Sequence, residues 1–140
     1  MPNKKIVLDT NCLLASISRR STAYPVWKGF QEGRYTLCVT NEILAEYEEM
    51  IARMASAEVA TNVIRMIMDS RHVEFIDTYY HWNLITADPD DNKFVDCAFA
   101  AGADYLVSED SHFRVLRDTP FPQLNLVTLD EFMQTKLVKE

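Results

Sequence analysis

The sequence predicts an α/β fold with a parallel sheet covered on both faces. Three observations carry this. Short apolar runs alternate with helical runs along nearly the whole chain, the pattern of repeated βαβ units. Helix start and stop signals fall between those runs: Thr40 before one helix, Gly33 and Gly102 after two others. Finally, Asp9 and Asp110 stand at or just past the ends of two strand-like runs, where parallel sheets place their ligands.

Taken in order, Lys4–Leu8 reads as a strand, and Ile6, Val7 and Leu8 as its buried part. A helix follows near Cys12–Ser18, then a loop over residues 19–25 (RRSTAYP). Val26–Gln31 is helical and stops at Gly33. Tyr35–Val39 is a strand, and Thr40 caps a helix running to about Met54. A second helical run spans Glu58–Met68, followed by a short strand at Val73–Ile76. Thr78–Asp91 is an irregular loop rich in aromatic residues. Asn92–Ala101 forms a helix closed by Gly102, since glycine tolerates the left-handed turn that ends helices. Tyr105–Val107 is a strand, His112–Leu116 a short helix, Leu124–Val127 a last strand and Leu129–Leu137 a final helix.

At 140 residues the chain is read as a single domain over residues 1–140, long enough for one sizeable core. No apolar run approaches the roughly 20 residues of a membrane helix. The N-terminal lysines precede a run broken by Asp9 and Asn11, so it is not read as a signal peptide. Cys12, Cys38 and Cys97 are scattered, odd in number and without a C-x-x-C pair, which points to reduced buried thiols and a cytoplasmic location. The net charge of −7 argues against a simple electrostatic nucleic-acid binder. It does not argue against a metal-dependent phosphodiesterase, because bound divalent cations reverse the local field.

The question is then whether the acids converge. On the helix after Thr40, Ile43, Leu44, Tyr47, Met50, Ile51 and Met54 form one apolar stripe. Glu46 borders it on one side and Glu48 on the other, and periodicity does not choose between them. Glu42 and Glu49 lie on the solvated face. In "DPDDNKFVDCAFAAGADYLVSED", residues 88–110, the inner face of the helix is Phe94, Val95, Ala98 and Ala101. Asp91 shares that face one turn earlier. Asp88 and Asp90 read as turn and cap residues, and Asp96 as a surface ion pair with Lys93 or a supporting group.

Asp9, an acid from the Glu46 region, Asp91 and Asp110 would meet at one sheet edge. Carboxylates held together cannot all ionise without counter-charge, and hard divalent cations supply it. Such ions lower the pKa of bound water and serve hydrolysis of phosphodiesters. Competing chemistry is thinly supported. There is no G-x-G-x-x-G, P-loop, H-E-x-x-H or G-x-S-x-G pattern. His72, His81 and His112 are widely spaced and suggest no zinc cage; His112, in "SEDSHF", reads as a surface loop histidine near the crevice. Aspartyl-phosphate enzymes want a second Asp two residues after the first, where this chain has Asn11.

"IVLDTNCLL", "VTNEILAEYEEMI" and "DPDDNKFVDCAFAAGADYLVSED", in this order and spacing, resemble the PIN-domain family over residues 4–133. Its look-alikes include bacterial and archaeal PIN proteins assigned as toxins of toxin–antitoxin pairs. The resemblance implies a three-layer α/β/α sandwich around a parallel sheet of about five strands, and Mg2+- or Mn2+-dependent cleavage of RNA. By the same resemblance Asp9, Glu46, Asp91 and Asp110 are the metal-site acids, which selects Glu46 over Glu48. Asn11 and Ser108 match polar positions that orient them; Ser108 stands where Thr is more usual. Arg19, Arg20, Lys93 and Arg114 are candidate phosphate contacts. Tyr79, Tyr80 and Trp82 are candidate stacking surfaces for unpaired bases, and Trp27 is read as core. An antitoxin protein and a second copy of the chain are the implied partners, beside the RNA substrate. Two other readings stay open: a catalytically silent PIN-like module that binds RNA or protein, and a small-molecule phosphoesterase.

Overall fold

The structure is a computed structural model that describes residues 3–86, 88–118 and 124–139. Five strands form one sheet: β1 (Lys5–Leu8), β2 (Thr36–Val39), β3 (Val73–Phe75), β4 (Tyr105–Val107) and β5 (Leu126–Val127). Their order is β3-β2-β1-β4-β5, and every neighbouring pair is parallel. β1 is central, with Ile6 opposite both Leu37 and Tyr105. The chain builds one side of the sheet out to β3 and then returns past β1 to start β4. The strand order therefore reverses between β1 and β4, which opens a crevice beyond their carboxyl ends.

Among the described residues six α-helices accompany the strands: α1 (Thr10–Ser16), α2 (Tyr24–Gln31), α3 (Asn41–Met54), α4 (Ala57–Asp69), α5 (Asn92–Ala101) and, after the last strand, α6 (Leu129–Met133). α5 packs against β1, β2 and β4, while α3 packs against α1 and α4. The core they enclose with the sheet includes Ile6, Val7, Leu8, Leu37, Val39, Tyr47, Phe94, Val95 and Leu106, and Trp27 lies in it as expected. Tyr35 and Tyr47 are fully buried, and each phenol donates to a carbonyl: Tyr35 to Val26 at 2.6 Å and Tyr47 to Leu8 at 2.5 Å. The second bond fixes the last peptide of β1 immediately before Asp9.

Several boundaries differ from the sequence reading for local reasons. α1 starts two residues early because Asp9 itself caps it, its carboxylate accepting from the Cys12 amide. α2 starts at Tyr24, with Pro25 in the first turn, where a missing N–H costs nothing. The expected helix at His112–Leu116 is a 3-10 helix over Ser111–Arg117, and a second 3-10 turn spans Pro89–Asp91 within the expected loop. Ala87, also in that loop, lies outside the described residues. α6 is five residues long instead of nine. The Thr135 hydroxyl donates to the Phe132 carbonyl, and the Arg34 guanidinium takes the carbonyls of Lys136, Val138 and Lys139. Among the described residues no helix is long and apolar enough to cross a membrane.

Candidate metal centre

Asp9 caps α1 at the end of the central strand and is only 5% exposed. Its Oδ1 accepts from the Cys12 amide at 2.8 Å, and its Oδ2 accepts from the Ser108 hydroxyl. Ser108 follows β4, so the neighbouring strand supplies the group that orients Asp9. Burial pushes the Asp9 carboxyl above its ordinary value; the bonds from Ser108 and Cys12 oppose this, and the charge of Asp110 adds to it.

Asp110 caps the 3-10 helix that follows β4. Its Oδ1 accepts from the His112 amide at 2.9 Å, and its own amide donates to Ser108 Oγ at 3.0 Å. Ser108 thus ties Asp9 to Asp110. Across the crevice, Asp91 stands at the start of α5. Its carboxyl is pushed up to about 6 by burial and the charge of Asp88, partly offset by a bond to His112, with Asp110 adding to the rise. His112 Nδ1 lies 3.4 Å from Asp91 Oδ2 and 3.3 Å from Asp110 Oδ1. Ligand atoms of Asp88, Asp91 and His112 all fall within 4.8 Å of one another.

Glu46 approaches from α3. Its Oε2 accepts from the Thr10 hydroxyl, the residue next to Asp9, and its Oε1 lies 2.7 Å from Lys93 Nζ. Glu46 is half-buried, whereas Glu48 is exposed on the far side of the stripe. Lys93 also reaches the Asp90 carboxylate at 3.1 Å and the Asp90 carbonyl at 2.8 Å. Burial alone would lower its ammonium; the bonds and charges of Glu46 and Asp90 outweigh that and raise it.

Sequence reasoning and structure diverge at several side chains. Lys93, a candidate phosphate contact, has a side chain only 10% exposed and paired with two carboxylates. Asp96 is not at the surface and does not pair with Lys93. It is 5% exposed, and its two oxygens hold the loop after β3 through the Trp82 amide and His81 Nδ1, both at 3.0 Å. His112 and Asp88, read as loop and turn residues, lie in the acid cluster. For His112 the available signal was its place two residues after a capping Asp, where the turn carries the ring back over the acid. Asn11 is exposed at the start of α1, and among the described residues no hydrogen bond joins it to the acids. Arg19, Arg20 and Arg114 are exposed. In the loop, Tyr79 is 91% exposed, while Tyr80 stacks edge-on against Trp82 with centroids 4.6 Å apart. All three cysteines are free, and burial raises each thiol, so none is poised as a thiolate nucleophile.

The donor set suits a hard divalent cation. It is built from carboxylate oxygens that raise one another's proton affinity, and it lies at the crevice where β-strand order reverses. A family model described as PIN domain matches residues 5–112. Among solved structures, VapBC2 from Rickettsia felis, bound to a DNA fragment from its promoter, matches with a TM-score of 0.61 at 20% identity, over 89% of this chain and 98% of that one. DNA-bound VapBC from Salmonella typhimurium matches at 0.59 and 19% identity, over 90% and 98%. The PIN domain endonuclease Utp24 matches at 0.54 and 11% identity, over 91% and 86%. These likenesses concern the fold. No curated protein matches the sequence.

Proposed function

The chain belongs to the PIN-domain family, and on that premise we propose that it is a metal-dependent endoribonuclease, the cytoplasmic toxin of a toxin–antitoxin pair. The observation that carries this reading is that Asp110, past the end of β4, bears on both Asp9 at the end of β1 and Asp91 at the start of α5, with Glu46 hydrogen-bonded to Thr10 beside Asp9. Asp9, Glu46, Asp91 and Asp110 would hold Mg2+ or Mn2+. Such an ion, when bound, supplies hydroxide near neutral pH and charge stabilisation for an in-line displacement at phosphorus.

The chain's own residues set up that chemistry. Ser108 and the Cys12 amide fix both oxygens of Asp9, so its orientation is settled before substrate arrives. The Tyr47 phenol holds the peptide that carries it. Asp110 is held by the same Ser108, so two acids from adjacent strands keep a fixed spacing. Arg19, Arg20 and Arg114 are exposed and remain as the phosphate contacts of this reading. Tyr79 and Tyr80 offer faces to unpaired bases. The VapBC matches, in which 98% of each matched chain is covered, share the fold from which this reading takes the toxin role by analogy.

The test is cleavage of single-stranded and structured RNA in Mg2+ or Mn2+ by the full chain, beside Asp9→Asn and Asp91→Asn. Both variants are expected to lose cleavage by at least roughly 100-fold. Cleavage at the wild-type rate in either would sink the site assignment. Hydrolysis of a nucleotide monophosphate without cleavage of RNA would favour a phosphoesterase instead.

A further inference from the structure

The four acids offer only oxygen, yet a nitrogen donor stands among them. His112 Nδ1 faces Asp91 Oδ2 at 3.4 Å and Asp110 Oδ1 at 3.3 Å. Neighbouring ligands on an octahedral ion with bonds near 2.2 Å are about 3 Å apart. The ring nitrogen therefore already keeps close to the spacing from two carboxylates that shared coordination requires. Its position is fixed locally. The His112 amide is held by Asp110, and the next side chain, Phe113, is buried against Phe94. Asp88 completes the group from the opposite wall, its Oδ1 accepting the Asp90 amide at 3.2 Å and its ligand oxygen within 4.8 Å of those of Asp91 and His112.

We propose that His112 and Asp88 are ligands of the cation site, and that the imidazole selects a transition-metal ion such as Mn2+ over Mg2+. This rests on reading the acid cluster as a cation site. Mg2+ is hard, keeps its waters and is served by oxygen donors; imidazole nitrogen suits first-row transition metals and adds little for Mg2+. A site of carboxylates alone discriminates weakly between the two ions. One nitrogen at ligand spacing shifts the preference. Coordination uses the Nδ1 lone pair, which places the ring proton on Nε2.

The full chain is stripped of metal, loaded with Mn2+ and examined by electron spin echo envelope modulation for imidazole nitrogen. Wild type is expected to show nitrogen modulation, and His112→Gln to lose it. In calorimetry His112→Gln should weaken Mn2+ binding by about 10-fold or more and Mg2+ binding by less than about twofold, and Asp88→Asn should weaken Mn2+ while keeping the nitrogen signal. Thermal unfolding of each variant in EDTA checks that it is folded. Bound Mn2+ without nitrogen modulation in wild type, modulation that persists in His112→Gln, or no Mn2+ binding at all overturns the proposal. RNA cleavage assayed on the same samples separates the two readings. Cleavage with a nitrogen-free Mn2+ site removes the His112 role alone, and a nitrogen-ligated site without cleavage removes the ribonuclease reading alone.

Discussion

Asp91→Asn is expected to make the protein more stable and less functional, and the sign follows from its surroundings. The Asp91 carboxyl is raised from an ordinary 3.8 to about 6, first by burial and then by the charge of Asp88, so the folded state holds the proton more tightly than the unfolded chain. At low pH both states are protonated and the group costs nothing. As pH rises from about 4 to about 6 the unfolded chain ionises first, and stability falls. Above about 6 the full cost is present. The gap between the two values, at 1.36 kcal/mol per pH unit, caps it at ~3 kcal/mol. The side chain is 18% exposed, and screening trims this to ~2 kcal/mol. Asn cannot ionise, so urea unfolding in EDTA should find Asp91→Asn more stable than wild type by ~2 kcal/mol near about pH 7.5, with the difference vanishing near about pH 2.5. In a chain of this size the shift in Tm is roughly 5–8 °C. Adding Mn2+ should reverse the order, because only wild type gains from binding it. An excess stability that does not change with pH, or none near neutral pH, would refute the account of the acid cluster.

Three further perturbations probe its supports. Lys93→Met removes the cation beside Glu46, which is 24% exposed; calorimetric unfolding should show a loss of ~1–3 kcal/mol in EDTA that narrows in saturating Mn2+, since the ion replaces the missing charge. Ser108→Ala removes a donor from Asp9, should cost ~1–2 kcal/mol, and should move the pH midpoint of Mn2+ binding upward, because Asp9 then ionises at higher pH. Asp96→Ala removes the carboxylate that binds the Trp82 amide and His81; a loss of ~2 kcal/mol and a red-shifted Trp82 emission are expected, Trp27 staying buried.

What was legible in the sequence depended on the range of the interaction that decides each feature. α5 and β4 were placed residue for residue, because Gly102 and the apolar period are local signals. Alternation alone pointed to a parallel sheet with ligands beyond its carboxyl ends, whereas the strand order, with its reversal between β1 and β4, is set by which strands pair across the chain. Asp96 was misplaced because helical period assigns a face but not what lies over it. The loop after β3 crosses that face and turns an expected surface acid into a buried clasp. Periodicity also could not separate Glu46 from Glu48, since both border the stripe. The partners that distinguish them, Thr10 and Lys93, come from elsewhere in the chain. α6 stops at Met133, and the carbonyls of Lys136, Val138 and Lys139 beyond it are taken by Arg34, about a hundred residues away, a contact no local signal announces.

The pairing of Lys93 leads further. A lysine beside acids looks from the sequence like a phosphate contact, but here it neutralises Glu46 and Asp90. Glu46 accordingly differs from the other acids. Asp9 and Asp91 are held under electrostatic stress, their carboxyls raised by burial and by neighbouring acids, and a cation that relieves this stress is bound the more tightly for it. Glu46 already has a resident counter-charge, so an entering ion must compete with Lys93 for it. On the metal-site reading the acids thus divide: Asp9 and Asp91 would drive cation binding, while Glu46, tethered to Thr10 beside Asp9, would be recruited last. Neutralising Asp9 or Asp91 should therefore cost more cation affinity than Glu46→Gln, which calorimetry with Mn2+ on the three variants would check.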